Sequence, residues 1–347
     1  MAHLIDIRRS PAADITTILG SPTPLPPRSR TSPTEPTIKP LTKISSKVMA
    51  LSPSPRCLFF DVFGTCVDWR KTVTATLTEA SHKALNASDK SLASSVRVRV
   101  GDTDWADVAQ EWRESYLAFT QALANDSSIP WKSVDDHHLD SLRKILLSRG
   151  IVRESLYDPP NLEPGGLWNN DELRALSLIW HRLDPWPDTC NGIAALNTIF
   201  WTCTLTNGNL SLIKDMAAHA SMPFTHIFSA EMFGSYKPSP KIYLGAAEKL
   251  NLAPKECAMV AAHLRDLKAA KECGFQTIYV ERPQEEPNEE VARAEAKSKG
   301  YVDLWVEEGH EGFLTVAREL AIEIISTSRR RSLSAPPATT PPADIPH

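Results

Sequence analysis

The chain has 347 residues, 42% of them hydrophobic and 23% charged, enough to bury a full α/β core and a second small domain. Its formal net charge is −4, and no basic stripe interleaves with aromatic residues, so nucleic acid is not an expected partner. No uninterrupted apolar stretch of about 18 residues occurs, which argues against a membrane span.

In chain order, residues 1–54 read as a disordered tail rich in Pro, Ser and Thr, because such composition buries too little apolar surface to offset the entropy of ordering. Seven Lys/Arg against three acids leave organelle targeting as a minor reading of this tail, although Asp6, Asp14 and the prolines oppose an amphipathic transit helix. The first strand is the apolar run Leu58-Phe59-Phe60, which ends on Asp61 and turns at Gly64-Thr65. A buried parallel strand ends this way when it holds a carboxylate at its C-terminal edge, facing a ligand crevice; an Asp capping the next helix is the plainer alternative. Helical patterns follow at 70–86, 103–124, 134–148 and 171–182, with a loop at Asp158-Pro159-Pro160-Asn161. From about residue 190, strands near 201–206, 226–229, 257–262, 276–281 and 303–306 alternate with helices near 191–199, 209–220, 239–250, 264–273, 287–299 and 310–326. That alternation implies an α/β fold, a Rossmann-like parallel-sheet core with a helical cap inserted after the first strand. The expected division is a core over 55–69 and 186–327, a cap over 70–185, and a second disordered tail over 328–347. The six cysteines (57, 66, 190, 203, 257 and 273) form no Cys-x-x-Cys, so buried reduced thiols in a cytoplasmic protein are expected rather than a zinc or redox site.

Three further segments sit where strands end. They are Leu205-Thr206-Asn207-Gly208-Asn209, Tyr236-Lys237-Pro238, and Ala261-Ala262-His263-Leu264-Arg265-Asp266-Leu267. An acid, a hydroxyl and amide, a lysine, and a His with a second Asp make a coherent hydrolase site that works through an acyl ester.

With these four segments the chain resembles the haloacid dehalogenase superfamily, and within it the type II 2-haloacid dehalogenase branch. The resemblance spans about residues 55–327. It implies that Asp61 attacks carbon 2 of a short 2-haloalkanoic acid, expels halide and carries an aspartyl ester that water hydrolyses to a 2-hydroxy acid. Superfamily phosphatases need a second aspartate two residues after the nucleophile, where this chain has Phe63; halide leaves without a proton, so an apolar residue suits it. The alternative, a magnesium-dependent phosphatase with metal at Asp61 and Asp266, lacks that acid. No metal or cofactor is therefore expected. By the same resemblance Thr65 supports the Asp61 loop, Thr206 and Asn207 hold the substrate carboxylate, and Lys237 offsets the negative charge. Tyr243 lies near the substrate, and Arg113, in Glu111-Trp112-Arg113, accepts the departing halide. Trp131 is matched to a halide-pocket aromatic. Where that branch has Ser, Asn and Trp, this chain has Ala261, His263 and Arg265. His263 is then either a water-activating base oriented by a carboxylate such as Asp68, or a structural support for the loop that carries Asp266. Asp266 is the other candidate base, or the partner of Lys237. The expected partner is a small carboxylate substrate, and a homodimer is left open.

Overall fold

The computed structural model describes residues 51–320 apart from 52, 127, 154–165 and 287. Most of the tail expected over 1–54, the tail over 328–347 and the loop at Asp158–Asn161 lie outside the described residues. Ordered structure nevertheless starts before residue 55. Leu51 is buried, and the Pro53 carbonyl accepts a hydrogen bond from Gln276 Nε2 at 2.8 Å.

Among the described residues six parallel strands form one sheet: β1 (Cys57–Phe60), β2 (Trp201–Thr206), β3 (His226–Ser229), β4 (Cys257–Ala261), β5 (Gln276–Val280) and β6 (Leu304–Val306), in the order β3-β2-β1-β4-β5-β6. β1 lies in the middle, with Phe60 beside Thr204 of β2 and Val260 of β4. The chain adds β2 and β3 on one flank and then crosses to the other for β4, β5 and β6. Connections therefore diverge on either side of β1 and leave a crevice beyond its C-terminal end, the usual ligand position in open parallel sheets. β1, β4 and β5 are buried at every residue, which is why β1 and β4 read as continuous apolar runs rather than alternating ones. All six cysteines are free thiols; Cys57 and Cys203 come within 3.5 Å at sulfur, and burial pushes Cys257 up to about 12.

Between β1 and β2 the chain is helical: α1 (Trp69–Leu85), α2 (Ser94–Gly101), α3 (Trp105–Asn125), α4 (Val134–Ser148) and α5 (Asn170–Ser177), then a 3-10 segment over Leu178–Arg182. Side-chain caps start four of these helices: Asp68, Asp104, Ser133 and Asn169 each accept from a backbone N–H in the first turn. The helix expected over 171–182 thus tightens at Leu178. α2 was not legible, because Val96, Val98 and Val100 alternate like a strand; Val96 and Val100 are also one helical turn apart and both are buried, while Val98 is exposed. On α3 the buried stripe runs Trp105, Val108, Ala109, Trp112, Arg113, Tyr116 and Thr120. Arg113 is the anomaly there, a charge on the face that packs inward.

After β2, helices and strands alternate regularly. α6 (Thr189–Leu196) precedes β2, and α7 (Leu210–His219), α8 (Pro240–Lys249), α9 (Leu264–Glu272) and α10 (Glu289–Lys299) follow, with a further helix over 312–320. Pro240 opens α8 at a position where its missing N–H costs nothing. Among the described residues no helix is long and apolar enough to cross a membrane.

Candidate active site

Asp61 stands one residue beyond β1, in a loop tied down from every side. Thr65 Oγ1 donates to Asp61 Oδ2 at 2.8 Å and accepts from the Ala262 amide at 2.9 Å. Trp186 Nε1 donates to the Gly64 carbonyl, Thr189 Oγ1 to the Cys66 carbonyl, and Arg282 Nε to the Thr65 carbonyl. Arg282 is itself held by a two-pronged pair with Asp188 at 2.7 and 2.8 Å. Gly64 adopts φ +82°, and a Cβ there would lie 2.0 Å from Glu285 Oε2, so both the turn and the close approach require glycine.

Five charged groups meet at this loop. Lys237 Nζ donates to Asp61 Oδ1 at 2.9 Å and to Asp266 Oδ2 at 2.5 Å. Tyr243 hydroxyl donates to Asp266 Oδ1 at 2.5 Å. His263 Nδ1 lies 3.0 Å from Asp61 Oδ2, and its Nε2 lies 3.2 Å from Glu285 Oε2. Asp61, Lys237, Asp266 and Glu285 are all below 9% exposed, so water hardly screens them. Burial by itself would raise the Asp61 carboxyl, but the Lys237 charge and the His263 hydrogen bond override it and hold Asp61 well below the usual carboxylate range. Burial would likewise lower Lys237 and His263. Instead Asp266 and Asp61 push Lys237 up, and the hydrogen bonds His263 donates to Asp61 and Glu285 push it up to about 9. At neutral pH Asp61 is therefore a carboxylate, and Lys237 and His263 are cations.

Above it is a cavity of about 360 Å³ whose wall includes Asp61, Phe63, Asn207, Lys237, Tyr243, His263 and Asp266 from the core and Arg113, Tyr116, Leu117 and Thr120 from α3. Arg113 is 4% exposed. Its guanidinium stacks over the rings of Tyr116, Phe63 and Trp69 at 4.9, 5.5 and 5.6 Å, and Nη2 donates to the Phe63 carbonyl at 3.3 Å. Nη1 is buried and has no hydrogen-bond partner.

Of the ten residues expected to act or to bind substrate, eight therefore line one cavity, and some hold positions other than those expected. Thr206 is fully buried and is not part of the wall; its hydroxyl accepts from the Gly208 amide at 3.3 Å, and the expectation that it touches substrate is corrected accordingly. Thr65 lies outside the wall and bonds the Asp61 carboxylate, the support of the Asp61 loop expected of it. Asn207 does reach the wall, but both ends of its amide are spent on Lys237, accepting from its N–H at 2.7 Å and donating to its carbonyl at 3.2 Å. It fixes the segment containing the cis Lys237–Pro238 bond. Trp131 is 45% exposed and stacks on Tyr236 at 4.6 Å, away from the cavity wall, which corrects its placement in a halide pocket. Asp68 caps α1 by accepting from the Lys71 amide and does not touch His263. The carboxylate on His263 is Glu285, which also accepts from Trp69 Nε1 at 2.7 Å. Glu285 escaped the sequence reading, although a strand-edge search after β5 would have met it in Glu281-Arg282-Pro283-Gln284-Glu285.

Comparison with known proteins places this geometry. The family model described as haloacid dehalogenase-like hydrolase matches residues 55–274. The chain is 30% identical over 131 residues to (S)-2-haloacid dehalogenase 1 of Pseudomonas sp. (strain CBS-3), a match covering 36% of this chain and 58% of that protein. It is 24% identical over 257 residues to (S)-2-haloacid dehalogenase 4A of Burkholderia cepacia, covering 73% and 94%. Among solved structures it resembles the L-2-haloacid dehalogenase PA0810, with a TM-score of 0.58 and 30% identity over 77% of this chain and 100% of that one. A family match over more than half its length, on a parallel sheet with a fixed acid at the switch point, makes this chain a member of the haloacid dehalogenase-like hydrolase family.

Proposed function

We propose that the protein hydrolyses short 2-haloalkanoic acids to 2-hydroxy acids through an aspartyl ester on Asp61. The observation that carries this reading is the pairing of Asp61 with what lies two residues on. A buried carboxylate, held ionised by Lys237, is followed by Phe63, whose ring lies under the Arg113 guanidinium at 5.5 Å. A cation on an aromatic floor suits a departing anion that needs no proton, and the relatives carrying the name 2-haloacid dehalogenase support the same substrate class.

Asp61 Oδ2 accepts two hydrogen bonds and Oδ1 one, so Oδ1 retains the freer lone pair for attack on carbon 2 while Oδ2 becomes the ester carbonyl. The clamped loop pays the orientation cost before substrate arrives. Halide leaves toward Arg113, whose buried Nη1 gains the partner it lacks. Lys237 stays between Asp61 and Asp266 and keeps the site neutral enough to admit a second carboxylate, that of the substrate. Ester hydrolysis needs a base. Asp266 has one oxygen on Lys237 and the other on Tyr243, so His263, against the ester carbonyl, is the better placed group. The helical insertion acts as the cap that closes the cavity.

The test is halide release from each enantiomer of 2-chloropropionate, with the chirality of the lactate formed and a single turnover in isotopically labelled water. Release from the (S) enantiomer with inversion, and label first appearing in the peptide containing Asp61, is the expected outcome. Label entering lactate directly, with none on that peptide, overturns it.

A further inference from the structure

A histidinium cannot take a proton from water, yet His263 is held as one between Asp61 and Glu285, at 3.0 and 3.2 Å. The contradiction disappears once the ester is followed through. We infer that Glu285 is a positioning residue that works through His263, and that forming the Asp61 ester discharges the His263 Nδ1 proton, so the net proton of the reaction leaves with the halide and before ester hydrolysis. This inference rests on the aspartyl-ester reading above.

The argument is geometric and electrostatic. In the resting site His263 Nδ1 faces Asp61 Oδ2 and Nε2 faces Glu285 Oε2, so each ring N–H points at a carboxylate. Esterification replaces the Asp61 anion by a neutral carbonyl, which removes the partner that retained the Nδ1 proton. The Nε2 proton keeps its partner, because Glu285 is itself fixed: its other oxygen accepts from Trp69 Nε1 at 2.7 Å, and its side chain fits against Gly64, where any Cβ would collide. Of the two neutral tautomers, the one protonated at Nε2 is thereby selected, and Nδ1 is left bare toward the ester carbonyl. That is the nitrogen a hydrolytic water would meet. Glu285 sits on the far side of the ring from the reacting atoms, as an orienting carboxylate does in a triad.

The balance closes. In the first step an Asp61 oxygen forms a bond to carbon 2, the carbon–halogen bond breaks with its electrons on the halide, and His263 gives its Nδ1 proton to solvent. In the second step His263 Nδ1 takes one proton from water while the hydroxide adds to the Asp61 carbonyl carbon. The intermediate collapses by breaking the bond between the Asp61 carbonyl carbon and the oxygen that carries carbon 2, and the remaining water proton passes to the departing alkoxide. Asp61 is again a carboxylate and His263 again an imidazolium. The sum is haloacid plus water giving hydroxy acid, halide and one proton, all of that proton released in the first step.

The experiment is a single turnover of the full chain, in excess over (S)-2-chloropropionate at pH 7. A soluble pH indicator, halide assay and quench-flow mass spectrometry of the Asp61 peptide follow it in parallel. Proton release should track halide and the rise of the ester, with no further proton as the ester decays. In Glu285→Gln the amide would keep an oxygen for Trp69 but present N–H to His263 Nε2, reversing the tautomer. The halide phase should then survive without its proton, and ester decay should slow by about 10²–10⁴-fold. Glu285→Asp should recover part of that loss. Proton release that waits for ester decay in the unaltered chain overturns the inference, and so does a Glu285→Gln ester that decays at the normal rate. Failure of the underlying reading looks different: no ester forms, or Asp61→Asn still releases halide.

Discussion

Asp61, Lys237, Asp266 and Tyr243 on the core wall of the cavity hold one another through hydrogen bonds of 2.5–2.9 Å, whereas the wall contributed by the helical insertion is aromatic and short of partners. There Arg113 keeps a buried, unpaired Nη1, and the neighbouring layer holds His138 with both ring nitrogens unpaired and Trp180 with its indole N–H unpaired. His138 stacks on Trp180 at 4.5 Å, and burial holds it well below its ordinary value, hence neutral. The difference is instructive. A group that must attack needs its geometry fixed in advance, while a group that must receive an anion has to be left with an unused donor, at a cost of about 1–3 kcal/mol while it waits.

The largest disturbance of that contrast should come from Lys237→Met, which leaves Asp61 and Asp266 buried without their shared cation. Loss of about 3–5 kcal/mol in denaturant unfolding is expected. Turnover should fall by about 10²–10³-fold, and the acid limb of the halide-release profile should move upward because burial then acts on Asp61 with less opposition. On the opposite wall, Arg113→Lys keeps the charge but loses the planar group that rests on three rings. A decrease of about 10–100-fold in kcat/KM, with weaker inhibition by added halide and little change in Tm, would mark Arg113 as the receiving side.

A pH series sharpens the core half. His263 is raised to about 9, so the stability it contributes is complete below its unfolded value of about 6.5 and is lost as pH rises through about 9. The difference in unfolding midpoint between the unaltered chain and His263→Asn should shrink over that interval; a constant difference would mean the two carboxylates do not hold the ring charged. The smallest expected effect is Tyr243→Phe. It removes one hydrogen bond to Asp266 but leaves Lys237 in place, for about 1–2 kcal/mol of stability and a modest loss of turnover. A larger fall in kcat than in Tm would give Tyr243 a direct part in binding.

Much of the core half could be read from the chain, because each of its parts is written locally. An apolar run closing on Asp61, another on Thr206, a third ahead of His263, and a lysine before Pro238 are strand-end signals, and a parallel sheet brings strand ends together by construction. The insertion half was less legible. Arg113 follows Trp112 on a helix like many surface arginines, and only the packing of α3 turns it inward.

What the sequence determined by itself was therefore the order of the strands, the acid at the head of the site and the apolar Phe63 beside it, since periodicity and strand-end chemistry are properties of short segments. Tertiary structure alone decided which polar atoms are spent. It committed the Asn207 amide to the Lys237 backbone, withdrew Thr206 from the cavity, and brought Glu285, 22 residues beyond His263 in sequence, onto the ring that Asp68 had been expected to orient. The reason is physical: a hydrogen bond is decided by fractions of an ångström between segments distant in the chain, and no local pattern of residues records that distance.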